Sequence, residues 1–171
     1  MGLSTTATKN TAIGYDALRT ALGGDMNVAV GHEALYTNNS GDFNTATGYR
    51  SLYKSTTASS NTATGYMSLL EVTTGVDNTA IGYRSGDVLT TGSNNVLIGD
   101  QTDPSAAAGT NQIVIGQAAT GHGNNITVIG NGSNTAIHPH DDNDVDLGSS
   151  TYEYKDLYVD GTAYVDAINF N

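Results

Sequence analysis

The stretch NTAIGYDAL at positions 10–18 is repeated, with changes, at four later points in the chain. It returns as NVAVGHEAL at 27–35, NTATGYRSL at 44–52, NTATGYMSL at 61–69 and NTAIGYRSG at 78–86. Only the Asn, the Ala and the Gly are kept in all five copies. Self-similarity at a fixed interval is typical of repeat architectures, so the repeat decides the fold class.

The repeat has a period of 17 residues, and an eighth copy follows after a shorter step of 14. Its Gly recurs as Gly14, Gly31, Gly48, Gly65, Gly82, Gly99, Gly116 and Gly130. The Asn recurs as Asn10, Asn27, Asn44, Asn61, Asn78 and Asn95, and Gln112 replaces it in the seventh copy. Seventeen residues are too few for two helices and a turn. The β-branched runs between Asn and Gly instead predict a β-solenoid, with two short strands and two turns in each coil.

Alternate residues of a strand share a face, which sorts the side chains of each coil into two rows. The residues one and three places before each Gly are Thr, Val or Ile, and we expect this row to face inward with Leu18, Leu35, Leu52 and Leu69. The other row is Ala in five successive coils, which predicts that another backbone approaches it closely. We expect that backbone to belong to copies of the same chain around a three-fold axis. The predicted fold is an all-β parallel solenoid in an intertwined homotrimer.

The recurring Asn and Gly have a structural interpretation. Stacked Asn side chains can hydrogen-bond along a rod of identical coils. Asn also tolerates the positive φ that turns require. We therefore predict that the Asn and Gly columns form the turns and the ladder of the solenoid.

The N-T-A-I-G-Y-x-A-L phrase resembles the head repeat of trimeric autotransporter adhesins, which also occurs in bacteriophage tail fibres. The resemblance covers residues 10–133 and implies a left-handed parallel β-roll that assembles as an intertwined trimer. The later copies depart from the pattern: Leu97, Val114 and Val128 replace Ala, Asp100, Gln117 and Asn131 replace Tyr, and Gly86 and Asp103 replace Leu. We expect the last coils to pack differently.

The segment 142–170, DNDVDLGSSTYEYKDLYVDGTAYVDAINF, is similar to the region that precedes the C-terminal intramolecular chaperone of many phage tail fibres. The resemblance implies a viral fibre whose chaperone is cleaved off or follows the sequence given. Asp160 and Gly161 predict a two-residue turn, and therefore a terminal hairpin. The predicted organisation is a lead-in at 1–9, a roll of about eight coils at 10–133, an acidic connector at 134–150 and a hairpin or trimer cap at 151–171.

Charge and composition narrow the classes of partner. The net charge is −11, and the six Lys and Arg are scattered, whereas a nucleic-acid surface needs clustered cations to neutralise phosphate. No run approaches the ~20 apolar residues that span a bilayer. The chain has no Cys, which excludes disulfides and thiolate metal sites. We expect no nucleic acid, no membrane insertion and no obligatory cofactor.

One candidate contact surface is an aromatic stripe. The residue after each Gly is Tyr15, His32, Tyr49, Tyr66 and Tyr83 in the first five coils, which places one ring above another. Such a stripe could contact a receptor, binding sugars or peptides through flat apolar faces and hydroxyls. The alternative interpretation is packing along the corner of the coil.

The only metal-like cluster is HPHDDNDVD at 138–146. His138 and His140 point the same way in an extended segment, and three copies on an axis would offer an octahedral transition-metal site. The acids that follow, Asp141, Asp142, Asp144 and Asp146, could hold Ca²⁺, although they lack the spacing of an EF-hand loop. The alternative is a solvated connector without metal.

No catalytic motif is present in the sequence, so the predicted protein is not an enzyme. We predict a trimeric fibre on a virion or in the extracellular space, with a host surface glycan or protein and other fibre or virion proteins as partners. The alternative is the head domain of a bacterial cell-surface adhesin that binds matrix or other cells. A depolymerising spike is a further class, and so is an ice-binding solenoid carrying Thr45, Thr47, Thr62 and Thr64.

Overall fold

A computed structural model of the chain describes residues 6–134, together with Thr151, Asp156 and Tyr158. The chain divides into two compact units, Met1–Asn134 and Thr135–Asn171. The described residues contain eight strands and no helix. The strands are β1 (Thr11–Ile13), β2 (Val28–Val30), β3 (Thr45–Thr47), β4 (Thr62–Thr64), β5 (Thr79–Ile81), β6 (Val96–Ile98), β7 (Ile113–Ile115) and β8 (Thr127–Ile129).

The eight strands form one parallel sheet in which the spatial order is the sequence order. Ala46 pairs with Ala63, and the same 17-residue register holds from β1 to β7. At the last pair Ile113 lies opposite Thr127, because the turn between β7 and β8 is three residues shorter. Each coil is therefore placed directly on the one before it. The predicted all-β parallel solenoid with 17-residue coils is confirmed.

Each described coil has one strand where the sequence analysis expected two. The rest of the coil still bonds along the solenoid, since the Leu52 N–H donates to the Ser68 carbonyl at 3.0 Å. It does not form a second strand because left-handed residues recur within it. Arg50 and Leu52, for example, have φ of 52° and 50°, and the same two positions are left-handed in the neighbouring coils. Alternation of left-handed residues prevents the extended backbone that a strand requires.

The Ala row lies inside the single chain, so the expectation that sister chains cover it was wrong. Ala29, Ala46, Ala63 and Ala80 are completely buried among residues of their own solenoid. They meet the Leu column, whose members Leu35, Leu52 and Leu69 are also fully buried. The interior of the solenoid is narrow, so one Ala from the strand and one Leu from the opposite side are enough to fill it in each coil. The close approach of backbones that the Ala row predicts occurs between successive coils of the same chain.

The β-branched row faces outward, which also corrects the sequence analysis. Each strand from β2 to β7 buries its central residue and turns the two outer residues away from the interior, whereas the central residues of β1 and β8 are half-buried. Several of these outer side chains are well exposed, among them Ile13, Ile81, Ile113 and Ile129. The outward sheet face, which we define as the first and last residues of the eight strands, consists only of Thr, Val and Ile. It carries no charge along the whole solenoid.

Candidate functional site

The Asn column forms a continuous buried ladder on one side of the sheet. The Asn27 side-chain oxygen accepts the Asn44 backbone N–H at 2.8 Å and its side-chain amide at 3.1 Å. Asn61, Asn78 and Asn95 repeat both bonds at 2.9–3.2 Å. The column ends where Gln112 donates its backbone N–H to Asn95 but turns its side chain to Ser105.

Each ladder Asn also closes the turn of the next coil. The amide of Asn27 donates to the Gly41 carbonyl, and the amide of Asn78 donates to the Gly92 carbonyl. The positive φ predicted for these Asn residues is instead found on the residue before each of them, for example Phe43 and Asp77. The buried side chains of Asn44 and Asn78 each take part in four hydrogen bonds. These bonds explain the Asn, since the left-handed conformation is carried by its neighbour.

The Gly that follows each strand is required by both conformation and space. Gly48 has a φ of 132°, a region that side chains rarely adopt, and a Cβ there would lie 2.3 Å from the Gly65 carbonyl oxygen. Gly31 and Gly65 have the same geometry against the coil that follows each of them. The Gly column thus lets the chain leave the sheet while successive coils keep their spacing.

The aromatic stripe forms a stacked column on the surface of the first five coils. Its members are Tyr15, His32, Tyr49, Tyr66 and Tyr83. The ring centroids of neighbours are 5.1–5.3 Å apart, and the planes of Tyr66 and Tyr83 differ by only 9°. Four coil steps at the ~4.8 Å strand spacing make the column roughly 20 Å long. Because neighbouring rings cover each other, solvent reaches the ring edges of the inner members and not their faces.

A second aromatic column, which the sequence analysis missed, lies beside the first. Tyr36 and Tyr53 stack at 5.0 Å, and the Arg50 guanidinium lies 5.1 Å from the ring centroids of both Tyr49 and Tyr53. The 17-residue spacing of Tyr36 and Tyr53 is the signal that could have revealed it. We call the two columns together with Arg50 the aromatic face.

The cations on and beside the aromatic face are paired with acids. Arg50 Nε lies 2.5 Å from the Glu33 carboxylate in the preceding coil, and this hydrogen bond raises the pKa of Arg50. Lys54 pairs with Glu71 in the next coil at 2.6 Å. Arg19 pairs with Asp16, and Arg84 pairs with Asp87. The face therefore offers donors and acceptors without a net charge of either sign.

One carboxyl of the later coils lies in an unfavourable environment. Asp103 occupies the position that Leu52 and Leu69 take in earlier coils, and one of its oxygens is buried without a hydrogen bond. Burial, helped by the nearby Asp87 carboxylate, raises the pKa of Asp103 to about 6. The described residues contain no group of three or more metal-ligating side chains. The nearby Asp87 carboxylate is itself paired with Arg84, so Asp103 is the member of this acid pair whose ionisation is disfavoured.

The predicted metal residues His138 and His140, the acidic connector and the C-terminal hairpin lie outside the described residues. Across the part of the chain that is described, no helix has the length and apolarity to cross a bilayer. The chain matches no protein-family model, and comparison with curated proteins and with solved structures returns no match. The geometry of the solenoid is therefore the basis for a functional proposal.

Proposed function

We propose that the protein is a structural, non-enzymatic fibre segment: a homotrimeric β-solenoid rod that mediates attachment to a host surface from a virion. The observation that carries this proposal is the outward sheet face. Its sixteen positions, two from each of the eight strands, hold only Thr, Val and Ile. In a chain of net charge −11, a surface of this length without one charged residue is suited to burial.

A second and a third copy of the chain are the partners that this face fits best. Every coil presents a pair of β-branched residues at the two ends of its strand, and successive strands pair in register, so two copies placed side by side meet coil against coil. The faces can approach without repulsion, because the acids lie on other sides of the coil. Three copies close around an axis and cover each other, which gives a stiff rod with the aromatic face as the receptor contact.

The oligomeric state tests the first half of the proposal. We expect light scattering after size exclusion to give three times the 17.6 kDa chain mass. Ile81→Lys places a charge on the sheet face and is expected to reduce the mass to one chain. The matched control is Thr74→Lys, at an exposed position on another side of the coil. A single-chain mass for the unmodified protein would refute the trimer, and equal masses for the two variants would refute the sheet face as its interface.

Attachment tests the second half. The fluorescently labelled protein should bind to intact bacterial cells, and a fibre role predicts that adding unlabelled protein reduces the binding. Uniform failure across a broad panel of bacterial strains would refute the attachment role while leaving the trimer in place.

A further inference from the structure

The aromatic face exposes ring edges and phenol groups, because its ring faces are already occupied. Tyr66 is stacked between Tyr49 and Tyr83 with centroid distances of 5.1 Å on both sides, yet 41% of the residue is exposed. A gap of this size leaves no room for a ligand between the rings. A ligand therefore meets a row of aromatic edges and not a flat stacking platform, and every member except His32 carries a hydroxyl group.

This row repeats along the solenoid axis at about the length of one pyranose unit. Successive coils offer an aromatic ring at centroid steps of 5.1–5.3 Å along the first column, and the last three rings, Tyr49, Tyr66 and Tyr83, are all phenols. A linear polymer lying along the axis presents each of its units to an equivalent set of groups, so that weak contacts add up. Tyr edges with hydroxyls suit a ligand that has both apolar C–H surface and hydroxyl groups.

Charge decides which linear polymer fits. Arg50 and Lys54 are both paired with glutamates, and the chain as a whole carries −11. An anionic glycan would have to displace these acids and approach a strongly acidic protein. An uncharged glycan can instead accept from the guanidinium and donate to the carboxylates without separating the ion pairs.

A peptide is disfavoured by the backbone. A peptide commonly joins a sheet by adding a strand to an open edge. Along the side of the solenoid, the backbone groups bond from coil to coil, as Met67 N–H does to the Tyr49 carbonyl at 2.8 Å. The aromatic face therefore offers side chains and no strand edge.

We propose that the aromatic face binds an uncharged linear glycan that lies along the solenoid axis, with the phenol groups of Tyr49, Tyr66 and Tyr83 as its main contacts. The inference rests on the proposed attachment function and names the class of receptor. Arg50 and Tyr53 lie beside this row and extend the contact sideways.

The test measures binding of the full chain to immobilised polysaccharides by biolayer interferometry. The neutral probes are amylose, mannan, galactan, cellodextrins and chitin oligosaccharides, the acidic probes are alginate, polygalacturonate and hyaluronan, and a peptide array serves as a third arm. The key variant carries Tyr49→Phe, Tyr66→Phe and Tyr83→Phe, which removes three hydroxyls and keeps the stacked rings. Its matched control is Tyr158→Phe, at a tyrosine that is 90% exposed and lies outside the solenoid.

We expect a neutral probe to bind, the triple variant to bind it at least about tenfold more weakly, and the control to bind as the unmodified chain does. The melting temperatures of all three proteins should agree, which excludes unfolding as the cause. Stronger binding to acidic probes or peptides, no binding to any neutral probe, or full binding by the triple variant overturns the inference.

The two proposals fail separately. A trimeric protein that attaches to cells but binds no neutral probe overturns the glycan and keeps the fibre. A single-chain protein that binds a neutral probe through the three tyrosines overturns the trimer and keeps the glycan site.

Discussion

The first coils and the last coils fill the same interior with opposite arrangements of side chains. In residues 10–80 each strand has a central Ala. A Leu fills the space beside it, from the column of positions six residues after each central strand residue, which we call the turn column. Further along, Leu97 takes the central position of its strand and Gly86 takes the turn column. A Cβ on Gly86 would lie 2.7 Å from Leu69 Cδ2 and 2.8 Å from Leu97 Cδ1. What the fold requires is the combined volume of the two positions, because close-packed interiors tolerate neither voids nor overlap.

The same boundary limits the surface columns. The aromatic column ends at Tyr83, since Asp100 follows it, and the Asn ladder ends one coil later at Gln112. The first coils thus carry the candidate binding face, whereas the last coils continue the rod without it. The Gly column and the uncharged character of the outward sheet face continue through both parts.

The largest effect is expected from replacing the Gly that follows a strand, which tests how closely successive coils approach in the first coils and in the last coils. Gly48→Ala would place a Cβ 2.3 Å from the Gly65 carbonyl oxygen at a φ of 132°, and we expect it to cost more than about 3 kcal/mol. Gly116→Ala has a similar φ of 141°, but its nearest neighbour is Gly130 Cα at 3.1 Å, so strain alone should cost about 1–2 kcal/mol. Urea unfolding measures both. Equal losses would show that backbone conformation, and not the spacing of the coils, makes the Gly necessary.

The next prediction converts one arrangement of the core into the other. Leu97→Ala should cost about 3 kcal/mol, because a fully buried side chain leaves a cavity. Gly86→Leu alone should cost about 1–3 kcal/mol through overpacking. Together they rebuild the pattern of the first coils, in which Leu69 has a φ of 48° in the same column, and the double variant should recover most of the loss.

A double-mutant cycle in urea measures the coupling between the two positions. We expect a coupling free energy of at least about 1.5 kcal/mol, in the range found for side chains that share one space. Additive losses would mean that the two columns are filled independently. Ala63→Leu serves as a comparison, since Leu52, which precedes Ala63 by the same interval as Gly86 precedes Leu97, is still present and no relief is available.

The sequence predicts the features of the fold that follow from its periodicity. It does not predict which side chains of a strand point toward the interior. The 17-residue interval between Gly48 and Gly65 defined the coil, the strand and the register, because each coil repeats the chemistry of the last. Periodicity alone does not say which row of a three-residue strand faces inward. Ala46 and Thr47 belong to opposite faces of the same strand, and either row has the spacing of a buried face. Only Ala46 is buried in the structure.

The width of the coil decides which row of strand side chains faces the interior, and the sequence led us to expect too narrow a coil. We expected a coil of 17 residues to be too thin to bury its own Ala row, but Leu52 reaches across and fills the interior. The left-handed residues could not be foreseen either. Arg50, Met67 and Phe43 adopt φ of 52°, 56° and 59°, although their side chains give no preference for that region. The repeat imposes these angles through hydrogen bonds between the coils.

A third prediction concerns how stability depends on pH when the turn column holds an acid in the last coils and Leu in the first coils. Asp103 stands where the first coils have Leu, and its pKa of about 6 exceeds the ordinary value of 3.8. The folded chain therefore binds this proton more tightly than the unfolded chain does. Stability contributed by the protonated carboxyl is present at low pH and is lost as pH rises through about 6.

Asp103→Asn should remove this loss. At pH 7 the variant should be more stable by about 1 kcal/mol, a figure reduced for the partial exposure of the carboxyl, and at pH 4 the difference should nearly vanish. Thermal melts between pH 4 and pH 8 measure it. The control is Asp100→Asn, at an exposed position of the same coil, which should leave the pH profile unchanged. A variant that is less stable at every pH would show that the carboxylate is held by a favourable contact.

The smallest expected effect concerns two serines of one column, on either side of the boundary. Ser85 Oγ donates to the Leu97 carbonyl at 2.9 Å, so Ser85→Ala should cost about 1 kcal/mol. Ser68 Oγ is buried without a partner, and the same column holds fully buried Ala34, so Ser68→Ala should be neutral or slightly stabilising. Urea unfolding of the two variants gives a direct comparison. A larger loss for Ser68→Ala than for Ser85→Ala would mean that the hydroxyl of the first coils has a bonding role. Ser68 and Ser85 are both buried and occupy the same position in their coils. The difference between the two losses of unfolding free energy therefore measures the contribution of the one hydrogen bond from Ser85 to Leu97 in β6.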